Sequence, residues 1–179
     1  MNENHQQQCA SIGMKVSLWC VTLAFIVPLA YLVTVSYIEG KGIPYLKNVG
    51  GYGLKDTLIT LGGAAIILGA LYASAVFFGR GAGKRICEMR LKVGGAIFVG
   101  IGLAFCCLAA AAIAAELSVL LAKLFDGGAG AQRPVETDGF GILILMIMLF
   151  GALPAILLGV VYAIVTRWRL AKAGCIEEG

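Results

Sequence analysis

Few side chains in this chain are equipped for chemistry, and the most pointed are Glu116 and Lys123. Seven residues apart, they fall on one face of a helix. A carboxylate inside a membrane span binds or gates a cation, or relays a proton. At a membrane surface it is simply hydrated. Glu116 follows 23 uncharged residues that begin at Val93, so the spacing places it at the outer interface. Only a tilted helix with a snorkelling Lys92 would carry it into a cavity.

The six cysteines are Cys9, Cys20, Cys87, Cys106, Cys107 and Cys175. They form no CxxC pair and no Cys/His spacing of a zinc site. His5 is the single histidine and sits in a polar N-terminal stretch that reads as a mobile tail. No metal, no cofactor and no histidine relay is therefore expected. Cys106 and Cys107, in an apolar segment, read as small packing residues. Cys87 and Cys175 would be open to acylation in a eukaryotic host. Neither outward loop carries a cysteine, which agrees with a fold without disulfides.

The run Gly79–Arg85, GRGAGKR, invites comparison with a phosphate-binding loop and fails it. That loop needs GxxxxGK followed by Ser or Thr, whose hydroxyl holds magnesium. Gly79 is one residue too close to Gly83-Lys84, and Arg85 occupies the hydroxyl position. Nucleotide binding is rejected. With no carboxylate pair, His relay or Ser–base arrangement inside the apolar segments, an enzyme is not expected.

Composition says what must position these groups. The 179 residues are 60% hydrophobic and 13% charged, with a mean hydropathy of +0.91. A soluble domain has about 45–50% apolar and about 25% charged residues, and no compact shape could hide this much apolar surface from water. Four long uncharged segments predict four membrane helices, at 16–38, 57–79, 93–115 and 139–166. Each exceeds the about 20 residues that cross a ~30 Å hydrocarbon core. The first is too long for the h-region of a cleaved signal peptide. The third continues in helical pattern to about residue 125, about 50 Å in all. Pro28 and Pro154 are set to kink the first and last helices near mid-membrane.

The expected fold is thus a single all-α membrane domain, a four-helix bundle with both termini inside. The orientation rests on charge. Arg80, Lys84, Arg85, Arg90 and Lys92 form a basic middle loop, and with Lys15, Arg167, Arg169 and Lys172 they make nine basic residues on one side. The other side has five, and the positive-inside rule then puts the nine in the cytoplasm. A cytoplasmic, or inner, bacterial membrane suits this reading. The charges lie between apolar segments rather than on one basic face, so a nucleic-acid partner is not expected.

The third segment holds fourteen Gly, Ala or Cys residues among its 23. Two rows at four-residue spacing, Ala96-Gly100-Ala104 and Gly102-Cys106-Ala110-Ala114, permit close backbone approach, which is how helices associate in lipid. This helix should be the packed centre. The first outward loop, 39–56, is rich in glycine yet carries Tyr45, Leu46 and Tyr52, which would suit headgroups or a partner's surface. Without dedicated chemistry, the expected activity is association within the membrane. The chain would act as an accessory subunit or an immunity-type protein that neutralises a membrane-inserting toxin; a homo-oligomer is compatible with the same surfaces. The rival expectation is a small channel or transporter. A eukaryotic four-span scaffold is a third, although the outward cysteines common in such proteins are lacking.

Overall fold

A computed structural model describes residues 3–38, 54–126 and 142–176. They form four helices: α1 (Glu3–Ile38), α2 (Leu54–Glu88), α3 (Val93–Asp126) and α4 (Ile142–Lys172). No strand occurs among the described residues. All four helices are long and apolar enough to cross a membrane. The protein is an all-helical integral membrane protein, consistent with a four-helix bundle.

Neighbours in sequence are neighbours in space. α2 packs on α1, α3 on α2, and α4 on α3, with a lesser contact closing α1 onto α4. α2 and α4 scarcely touch. The packing is made by small residues. On α1, Gly13 lies so close to α2 that an added Cβ would collide with the carbonyl of Gly79 and with Gly83 Cα, 2.7 Å away. Gly79 in turn leaves room for Ser17, whose Cβ stands 2.7 Å from where a side chain would begin. On the other side, Gly100 of α3 rests on the backbone of Gly159 of α4. Such crossings maximise van der Waals contact in a solvent that gives apolar side chains no reason to leave it.

Two expectations about the chain's path are corrected. Residues 3–15 are helix, not a loose tail, and Cys9, Ala10 and Val16 are buried against α2 and its neighbours. The basic middle stretch is also mostly helix. Arg80, Lys84 and Arg85 ride the last turns of α2, and only Arg90 and Lys92 belong to the turn. Gly79 and Gly83 of this stretch make the crossing with α1.

That turn is a tight one. The Leu91 amide donates to the Ile86 carbonyl at 3.2 Å and the Arg90 amide to the Cys87 carbonyl at 3.3 Å. This is the Schellman arrangement, which puts its fifth residue in the left-handed region. Arg90 takes that conformation, at φ 43°, in a position where glycine is usual. The end of α4 repeats the motif with Gly174 at φ 70°.

Candidate functional site

Chemistry-bearing side chains collect at the end of the bundle where α1 begins and α2 ends. His5 and Cys9 are four residues apart and share a face of α1. α2 runs antiparallel to that face and brings Cys87 to it. Cys9 and Cys87 form a disulfide, with Cα atoms 6.3 Å apart and 78 residues between them in sequence. The expectation of a fold without disulfides is thereby corrected. Their separation hid the pairing, since no short-range motif joins residues so distant.

The His5 ring nitrogen and the two sulfurs all lie within 4.8 Å of one another. With both thiols reduced, one imidazole and two thiolates make a donor set suited to a soft cation such as Zn2+. As a cystine the pair offers no thiolate. The view that His5 serves no metal site depended on its being in a loose tail, which it is not. Beside the cluster, Gln6 Nε2 donates to Glu88 Oε1 at 3.0 Å and ties the two helices once more.

Further into the bundle the polar groups are hydroxyls. Tyr162 of α4 is fully buried and its hydroxyl donates to the Gly79 carbonyl at 3.2 Å. Thr22 donates to the Leu18 carbonyl at 2.9 Å, so it accepts from the Tyr72 hydroxyl 3.1 Å away. Ser17 is sealed in with no hydrogen-bond partner for its Oγ. It borders a half-open pocket of about 200 Å³ that is lined almost wholly by apolar groups, among them Leu71, Leu103, Leu108, Pro154 and Leu158.

Glu116 lies at the far end of α3 and is only 6% exposed, among the buried Ala112, Ala114 and Ala115. The expectation of a freely hydrated interfacial carboxylate is corrected. Lys123 is within α3, but its side chain falls outside the described part, so the proposed pairing of faces has no geometry here. Tyr45, Leu46 and Tyr52 lie outside the described residues altogether.

Of the small-residue rows, Ala96 is buried, Gly100 sits in the α3–α4 crossing and Ala104 borders the half-open pocket. The second row divides. Gly102 and Cys106 face outward, Ala110 is half-buried and Ala114 is buried. The reason is rotational, because each step of four residues advances about 40° round the helix. A four-residue row is therefore not one face over three turns.

Comparison with known proteins gives no match: no family model, no curated protein and no solved structure resembles this chain.

Proposed function

We propose that this is a small non-enzymatic membrane protein that acts by associating with another membrane protein or membrane-inserted peptide. The observation that carries the reading is a ridge on α4. Leu145, Leu149, Leu153 and Leu157, spaced by four residues and 60–70% exposed, run along its outer surface with Phe150 beside them. Its crossings are closed by glycine and alanine, and on α4 the row of leucines is left uncovered. A regular row of leucines is the form of ridge that fits the grooves of a second helix. The sequence-based orientation puts both termini in the cytoplasm, with nine basic residues against five. A bacterial inner membrane suits it, and an inserted toxin or a larger complex would supply the partner helix.

A channel or transporter is the second reading, and the burial of Glu116 favours it. A carboxylate enclosed near one end of a span is a recurring element of cation pathways. The largely apolar lining of the half-open pocket beside Ser17 speaks for the first reading.

A photo-crosslinking residue at Leu149 or Leu153, introduced in cells, should yield one discrete adduct that mass spectrometry identifies. The same residue at Leu61 of α2, which is equally exposed at 62%, should yield none. Purified protein in liposomes should pass no ions above empty vesicles. Ion flux that Glu116→Gln abolishes would replace the first reading with the second.

A further inference from the structure

Where α1, α2 and α3 meet below the basic turn, the surface is cut by an open groove of about 1150 Å³. That exceeds the about 300–1000 Å³ of ordinary small-molecule pockets. Arg80, Lys84 and Arg85 of α2 line one wall of it. Phe98, Gly102 and Cys106 of α3 line the other. On α3 its lining runs from Phe98 to Cys106, about 12 Å along the helix. That length is most of one leaflet, half of a hydrocarbon core about 30 Å thick. A soluble anion needs no such depth.

We propose that this groove binds one anionic phospholipid, its phosphate held by Arg80, Lys84 and Arg85 and an acyl chain lying along α3. Charge selects the occupant. Three cations and no acidic side chain line the groove among the described residues. Arg80 spends its Nε donor on the Met14 sulfur at 3.3 Å, a weak acceptor, and keeps its remaining guanidinium donors for a phosphate. Basic pockets between spans are a recurring form of headgroup recognition.

The groove's floor explains two residues that helix packing does not. A side chain at Gly102 would meet nothing within 4 Å, and Cys106 is exposed. Small residues on a lipid-facing surface bring no helix closer. They leave a channel beside Phe98, which stands 79% exposed as its wall. This site stands independently of any protein partner on α4.

The test is native mass spectrometry of the full chain released from nanodiscs of equal phosphatidylglycerol and phosphatidylcholine. The wild type should retain one phosphatidylglycerol at least tenfold over phosphatidylcholine, and millimolar glycerol phosphate should not displace it. Combined Arg80→Gln, Lys84→Gln and Arg85→Gln should abolish the preference. Gly102→Phe should reduce retention of either lipid, with a melting temperature near that of the wild type. Arg169→Gln with Lys172→Gln, basic residues outside the groove, should keep the preference. Equal retention of both lipids by the wild type would overturn the proposal. So would an equal loss in the Arg169/Lys172 control, which would mean general charge attraction. A protein dimer without lipid that Gly102→Phe dissolves would assign the groove to a second copy instead.

Discussion

The Tyr162 hydroxyl on α4 donates to the Gly79 carbonyl on α2 at 3.2 Å, joining two helices that otherwise scarcely touch. The same Gly79 is the residue on which α1 closes, through Gly13 and Ser17. Three helices thus meet at one glycine, and α1 comes this close only because that residue has no side chain.

Removing the hydroxyl alone should have a modest effect. Interhelical hydrogen bonds in membranes average about 0.6 kcal/mol and reach about 1.7. Tyr162→Phe keeps the ring in place, and a helical carbonyl has a second use for its lone pairs. Thermal unfolding in detergent should show a drop of a few degrees with helix content unchanged. A wholesale loss of folded protein would mean that Tyr162 holds more than the hydrogen bond.

The glycines of the basic stretch separate sharply by what lies opposite. Gly79→Leu and Gly83→Leu should unfold or loosen the bundle, because their side chains would enter the α1 backbone or Ser17. Gly81→Leu, two residues from each, should be tolerated, since nothing lies within 4 Å of that position. On α3, Gly100→Leu should behave like the first pair, and Gly94→Leu like Gly81→Leu. Yield of monodisperse protein and melting temperature report all five. Equal tolerance across the set would contradict the close crossings.

These glycines mark the boundary of what could be read in the chain. The four spans were legible from hydropathy, because length and charge decide membrane insertion with little help from neighbours. The helical course of residues 80–88 was not. The uncharged span ends at Gly79, so the basic residues beyond it read as the loop between two spans. Gly79 and Gly83 instead let Cys9, Gly13 and Ser17 meet Gly79, Gly83 and Cys87 along two matched rows, and that contact carries the helix on through the basic residues. The α1 row is visible in the sequence at four-residue spacing; its polar surroundings disguised it as a tail. The Cys9–Cys87 pairing and the burial of Glu116 follow only from the packing.

The thiol pair allows a direct count. Protein purified in air, denatured in SDS and treated with a maleimide-linked polymer should gain four adducts, on Cys20, Cys106, Cys107 and Cys175. Reduction beforehand should raise the number to six. In the chain-entropy view, closing a loop of this length stabilises a soluble protein by about 4 kcal/mol, and by less here because inserted spans keep the unfolded chain confined. The reduced form should still melt lower. Cells quenched in acid before labelling should show six adducts if the pair faces a reducing cytoplasm. Six adducts from air-purified, unreduced protein would remove the cross-link.

The orientation can be decided with a probe placed by the structure. Cys87 is buried and paired, so it reports nothing. Cys175 is a poor substitute, because burial pushes its thiol up and leaves little thiolate near neutral pH. Its labelling in the folded protein should accelerate as pH rises toward that raised value. Met89, in the turn and 66% exposed, is the better site. In a chain whose native cysteines are replaced, Met89→Cys should resist an impermeant maleimide in intact cells and react once the membrane is opened. Gly51→Cys and Ala129→Cys, in the segments that join α1 to α2 and α3 to α4 in sequence, should react without opening. The nine basic residues on the Met89 side demand this result if the positive-inside rule governs the chain. Outside labelling of Met89→Cys would invert the protein, and the disulfide would then sit in an oxidising compartment, where such bonds persist.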